Sequence, residues 1–150
     1  MLLIRFLALG LLLLMLTACE EPDRGFGDGQ AEDRPEIQVI LDFYQSIYEA
    51  DDLDRAKQYA SERMGGLMEH YGTSQGVQKY VLNRRYDDVQ VQVESDSLVP
   101  YLNQADELRA TVIFEGSYGD DEIKDSRDVV VVRQGDSWRV DRILDPRFRP

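Results

Sequence analysis

The chain has almost no cysteine and almost no histidine. Of its 150 residues one is cysteine, Cys19, and one is histidine, His70. A single thiol forms no intramolecular disulfide, so stability must come from a packed core. A single imidazole builds neither a two-histidine relay nor a histidine-rich metal site. A serine triad would have to use His70 as its base, and no Gly-x-Ser-x-Gly elbow accompanies it. Positive charge is scarce as well. Seventeen Lys and Arg stand against 29 Asp and Glu, for a net charge of −12. Nucleic-acid binders carry basic patches, so nucleic acid is excluded as a partner. Anionic lipid headgroups would repel such a surface. Missing too is an apolar run of the about 20 residues that a membrane span takes. The longest run, Phe6 to Leu16, stops short of it.

That short run is nevertheless informative. Met1 to Arg5 make an n-region with one positive charge, Phe6 to Leu16 an apolar h-region, and Thr17-Ala18 a small-residue peptidase site. The tetrapeptide Leu16-Thr17-Ala18-Cys19 closes the run and resembles the lipobox of bacterial lipoprotein precursors. The resemblance implies cleavage before Cys19, with acyl chains on its thiol and new amine. Residues 1–18 are then a signal peptide, and Cys19 is the membrane anchor. Each buried methylene contributes about 0.8 kcal/mol, and several chains together hold a protein durably. Glu20 follows the cysteine where enteric-type inner-membrane retention favours aspartate, so the outer membrane, facing the periplasm, is preferred. Residues 19–35 read as a flexible acidic tether, with three glycines and two prolines between Glu20 and Pro35.

Residues 36–150 are expected to make one domain. Ile37, Ile40, Leu41, Tyr44, Ile47 and Tyr48 recur at helical spacing. Asp51-Asp52-Leu53-Asp54 looks like a helix start, and Leu53, Ala56, Ala60, Met64, Leu67, Met68 and Tyr71 continue one face. Gly65-Gly66 is expected to break or kink that helix, and Ser74 to cap a third. Beyond residue 85 the period becomes alternating. Strands are predicted at Val89–Val93, Leu108–Glu115, 122–133 and Ser137–Ile143. Gly135-Asp136 suits a two-residue hairpin turn. It sets Arg133 opposite Trp138, Val131 opposite Val140, and Val129 opposite Arg142. The turn at Gly119-Asp120 sets Leu108 opposite Val131 and Ala110 opposite Val129. Both turns place Val129 and Val131 on one apolar face.

The same register sets Asp125 beside Phe114 and Arg127 beside Val112, on the face meant for the core. Either these two line a cleft under the helices, or a bulge or overhanging strand end turns them to solvent. The second reading is preferred. The segment Asp96–Asp106 reads as a loop carrying Leu98, Val99, Pro100, Tyr101 and Leu102. Apolar residues in a connecting loop cover the core edge, roof a pocket or meet a partner.

Two further segments carry a family resemblance. Ile40-Leu41-Asp42-Phe43-Tyr44 through Tyr48-Glu49-Ala50-Asp51-Asp52-Leu53-Asp54-Arg55-Ala56 resembles the paired-helix pattern of nuclear transport factor 2-like (cystatin-like) domains. Gly135-Asp136-Ser137-Trp138-Arg139-Val140 resembles their final strand. The resemblance implies an α+β fold: two or three N-terminal helices packed on one face of a curved antiparallel sheet of about four strands. Relatives of this kind include isomerases and cyclases as well as domains that only bind. No catalytic motif carries over. Asp42 with Tyr44 or Tyr48 would supply an acid and an oxyanion donor, but Asp42 belongs to the polar side of its helix. Asp51-Asp52-Asp54, Asp87-Asp88 and Asp120-Asp121-Glu122 lack the spacing of a calcium loop and read as caps and turns. The expectation is therefore a non-catalytic binding domain on a lipid anchor, with no metal and no cofactor. Its partner is an envelope protein or a small apolar ligand. The alternatives are a cone-pocket isomerase, dehydratase or cyclase, or a purely structural envelope protein. Asp125, Arg127, Leu98, Tyr101 and Leu102 are the candidate contact residues.

Overall fold

The computed structural model describes residues 34–144. The leader, Cys19, most of the tether and the tail from 145 lie outside them. Four helices come first. The opening helix α1 (Pro35–Tyr48) begins with proline, whose missing N–H would have no helical partner there. It buries Ile37, Ile40, Phe43, Tyr44 and Ile47. Asp52 caps α2 (Leu53–Gln58), its carboxylate accepting from Arg55 N at 2.9 Å. Ser61 caps α3 (Glu62–Tyr71), accepting from Met64 N at 3.1 Å, and left-handed Gly72 closes it.

The second helix is interrupted, but not at its glycines. Gly65 and Gly66 lie inside α3; the break falls at Tyr59–Ser61. There Val140 N donates to Tyr59 O at 2.8 Å, and Ser61 N donates to Val140 O at 2.9 Å. The sheet edge takes the backbone groups that would have continued the helix, so a tertiary bond overrides local propensity. Thr73, not Ser74, caps α4 (Ser74–Tyr80), accepting from Gly76 N at 3.0 Å.

Five strands follow: β1 (Asp88–Val93), β2 (Val99–Tyr101), β3 (Gln104–Tyr118), β4 (Asp121–Gln134) and β5 (Ser137–Leu144). They make one antiparallel sheet ordered β1-β3-β4-β5, with β2 on the same edge of β3 as β1. The segment expected to be a loop thus holds a fifth strand. Its turn to β3 uses Leu102 and Asn103 with φ of 49° and 60°, the left-handed pair of a tight hairpin. Leucine gives no turn signal, so alternation alone missed it.

The expected register is present. Leu108 faces Val131, Ala110 faces Val129, Val131 faces Val140, and Arg133 faces Trp138. One pair differs. Val130 faces Arg142 and Val129 faces Ile143, because the β4–β5 register shifts between Val130 and Val131. Asp141 is the extra residue. It restores an apolar side chain, Ile143, to the inner face. Its carboxylate accepts from Ser61 Oγ at 2.6 Å, which ties the bulge to the start of α3. The core lies between layers: Ile40, Phe43, Tyr44, Ile47, Met64, Met68 and Val77 pack over Ala110, Val112, Phe114, Val129, Val131 and Val140. Trp138 is half-buried against it.

Gly116 marks the closest approach of β1 to β3. A Cβ there would stand 2.2 Å from Asp88 O and 2.8 Å from Val89 Cα, both backbone atoms. Gly116→Ala is expected to cost about 1–3 kcal/mol, because the strand must shift to admit it. Urea unfolding measures this. A loss under about 0.5 kcal/mol would mean that β1 is not held against β3 at this point.

Candidate functional site

Under α1 the inner face of the sheet turns aromatic and then charged. Tyr44 and Tyr48 descend from α1, Tyr86 precedes β1, and Phe114 rises from β3. Phe114 meets Tyr44 edge-on at 5.0 Å and lies nearly parallel to Tyr86 at 6.1 Å. Tyr48 meets Tyr86 edge-on at 5.5 Å, so the four rings form one cluster. Beside it β4 presents Asp125 and Arg127, and the segment after α4 presents Arg84. Asp125 Oδ2 accepts from Arg84 Nε at 3.2 Å and Nη2 at 3.1 Å, and pairs with Arg127 Nη2 at 2.9 Å. Asp125 Oδ1 accepts from Ser126 N at 2.9 Å. Tyr48 O–H donates to Arg84 O at 3.0 Å and pins that segment to α1.

These groups enclose a recess of about 10 Å³ lined by Tyr44, Tyr86, Phe114, Asp125, Arg127 and Ile143, among others. That is room for one water-sized particle. The Tyr44 and Tyr86 hydroxyls are buried and have no hydrogen-bond partner among the described residues. Burial pushes the Tyr86 phenol up to about 12, with the Asp125 carboxylate adding to the effect. Burial also raises Tyr44 and Tyr48 above the ordinary phenol range. A separate surface groove of about 290 Å³ runs between α1 and β1, past Leu41, Tyr48, Val89 and Val91.

The preferred expectation for Asp125 and Arg127 needs correction. The β3–β4 ladder runs without a shift through Asp125 opposite Phe114 and Arg127 opposite Val112. The two side chains therefore stay on the inner face, where each neutralises the other. The bulge lies on the opposite side of β4, against β5. Asp42 remains at the surface, accepting from Gln38 Nε2 at 3.0 Å, so the carboxylate near the phenols is Asp125. Arg84 and Tyr86 were not singled out from sequence. They sit in a connection without periodicity, which carries no local signal for either residue. Leu98, Tyr101 and Leu102 do not join this site. They flank the far half of β3. Leu98 packs on the core, Tyr101 lies 5.0 Å beneath the Arg142 guanidinium, and Leu102 is 69% exposed. Cys19 lies outside the described residues. Among those described, no group of three or more His, Cys, Asp or Glu is placed to hold a metal ion, and no helix is long and apolar enough to cross a membrane.

No protein-family model and no curated protein sequence matches the chain. Among solved structures the chain is similar to Bd1075 of Bdellovibrio bacteriovorus, with a TM-score of 0.48 and 11% identity over 71% of this chain. It spans 37% of that protein's chain, well under two thirds. It is also similar to a variant of Rd1NTF2_05, with a TM-score of 0.48 and 15% identity, covering 77% of this chain and 97% of that one. Both likenesses concern the chain trace alone. In this protein the helices come first and an antiparallel sheet follows, which is the order implied by the nuclear transport factor 2-like resemblance.

The raised phenols have a measurable consequence. Of eight tyrosines, Tyr44, Tyr48 and Tyr86 are expected to ionise last in a phenolate-absorbance titration. An unfolded phenol titrates near pH ~10. The folded values lie higher, so these groups contribute stability in full below that pH. The contribution is lost as pH rises through the folded values. Simultaneous ionisation of all eight, with the fold still intact, would contradict the burial of this cluster.

Proposed function

We propose that this protein is a lipid-anchored envelope protein whose domain binds a partner protein and catalyses no reaction. Acyl chains on Cys19 hold it to the membrane, with the outer membrane preferred and the domain facing the periplasm. The observation that carries the binding reading is the filled interior. Tyr44, Phe43, Ile37, Ile40 and Ile47 are all fully buried, and about 10 Å³ remains beneath the tyrosines. A small-molecule site usually needs about 300 Å³ or more. The rival reading, an isomerase or dehydratase, would use Asp125 as its base. Asp125 spends one oxygen on two guanidiniums and the other on a backbone N–H, which suits a structural acceptor better than a proton carrier.

Apolar surface for a partner is offered outside. Val99 is 37% and Leu102 69% exposed along β2 and its turn, and the groove beside α1 adds Leu41 and Val91. A surface patch of this kind is smaller than a full interface, so charged and polar rim groups must supply the rest.

Cys19→Ser is expected to abolish incorporation of a fatty-acid probe and leave the precursor uncut. Equal labelling of wild type and variant would overturn the anchor. For the binding reading, Val99→Ser with Leu102→Ser should keep stability within about 0.5 kcal/mol, as exposed positions do. The same change should lower recovery of cross-linked partner from envelope extracts, and Leu41→Ser tests the groove in the same way. Unchanged recovery with both variants would remove these surfaces as contacts. Leu98 is unsuitable for this purpose because it packs on the core.

A further inference from the structure

The recess beneath the tyrosines has apolar walls of Leu82, Phe114 and Ile143, into which hydrogen donors of Tyr44, Tyr86, Arg84 and Arg127 and the Asp125 carboxylate are set. Tyr44 is 1% and Tyr86 8% exposed, and neither hydroxyl has a partner among the described residues. Leaving such a group unmade costs about 1–3 kcal/mol, so a native fold has reason to supply an acceptor. Charge narrows what that acceptor is. Arg84 and Arg127 bring two positive charges, and Asp125 brings one negative. The carboxylate already accepts on both oxygens. One positive charge is left over, shared between Arg127, whose side chain is 12% exposed, and Arg84, whose side chain is 39% exposed and meets solvent.

The geometry points to an anion site: one negatively charged acceptor atom, a halide ion or a carboxylate oxygen, held by the Tyr44 and Tyr86 hydroxyls and the Arg127 guanidinium. A cation would meet donors and a surplus of its own charge. A neutral water would satisfy the hydroxyls but leave the surplus charge to solvent at Arg84 alone. Size sets the remaining limit. About 10 Å³ admits one water-sized particle. A carboxylate would therefore insert a single oxygen and keep its carbon at the mouth, beside the half-buried Arg84. Firmly protonated phenols keep both hydroxyls as donors across the physiological range. The chain as a whole carries −12 and repels anions at long range, so binding would rest on these local donors.

The site is independent of membrane anchoring and of partner capture, and its test uses neither. The full chain is purified in nonionic detergent. Sodium chloride and isotope-labelled acetate are titrated against it at constant ionic strength, following anion line broadening and the thermal midpoint. Saturable broadening by either anion, with a rising midpoint, supports the site. Chloride alone marks a halide site, acetate alone a carboxylate site, and mutual competition a shared one. The Tyr44→Phe/Tyr86→Phe pair and, separately, Arg127→Gln should each weaken binding by at least about tenfold, as loss of hydrogen bonds to a charge does. The inference is overturned if neither anion binds the wild type, or if the phenylalanine variant binds as tightly. Should the double variant fail to fold, Tyr86→Phe alone is read against the wild type on the same terms.

Discussion

A carboxylate on the inner face of a sheet cannot be buried alone, and much of this structure answers that constraint. The β3–β4 ladder leaves Asp125 no choice of side, because parity fixed at both turns puts it opposite Phe114. An isolated buried charge would cost several kcal/mol. Arg127, two residues on and therefore on the same face, supplies one partner. Arg84 supplies the other from outside the sheet. To reach it the chain leaves α4 through left-handed Asn83, and the Tyr48 hydroxyl holds Arg84 by its carbonyl. One ion cluster thereby joins α1, the end of α4 and β4. The aromatic rings beside it limit water on the side of Asp125 and Arg127, which strengthens their attraction and raises the penalty for either left unpaired, while Arg84 keeps contact with solvent.

Parts of this were legible in the residues. Gly119 and Gly135 sit at the two hairpin turns with left-handed φ, and the valine alternation between them had one consistent facing. That was enough to place Asp125 and Arg127 on the inner side. What it could not supply was the reason to keep them there. The reason is Arg84, 41 positions away in a stretch without periodicity. Reading the pair as a bulge followed from expecting charge to seek solvent when no partner is visible. Three other differences share that origin. The helix break at Tyr59–Ser61 depends on backbone bonds to Val140, the displaced phase after Asp141 goes with a side-chain bond to Ser61, and the strand β2 depends on its pairing with β3. Local propensity says nothing about such bonds.

The same cluster bears on what the domain does. A cone of helices over a sheet can be left open for a ligand or filled by its own side chains. Here the sheet offers Phe114 and α1 offers two tyrosines at the place where an opening would lie. The rings meet edge-on and in parallel at separations typical of favourable aromatic contacts. With the interior filled, the exposed apolar side chains lie outside, at β2 and in the groove beside α1. Filling also changes the meaning of the buried polar groups. In an open pocket Asp125 and the phenols would face substrate. In a closed one they face each other and a space for one water-sized particle.

The acidity of the chain fits this division. Many acids are committed at the ends of elements: Asp52 caps α2, and Asp87 accepts from Gly119 N at 2.7 Å beside the β3–β4 turn. Several arginines are instead drawn onto the sheet. Arg142 pairs with Glu107 at 2.5 Å and Asp141 at 2.9 Å on the outer face, and Arg127 pairs with Asp125 on the inner one. Each of these sheet arginines is thus matched by an acid on the sheet. A net charge of −12 turns anionic lipid away. It also separates long-range from short-range electrostatics. An approaching anion is repelled until it reaches the few buried donors under α1, where distance and desolvation reverse the sign of the balance.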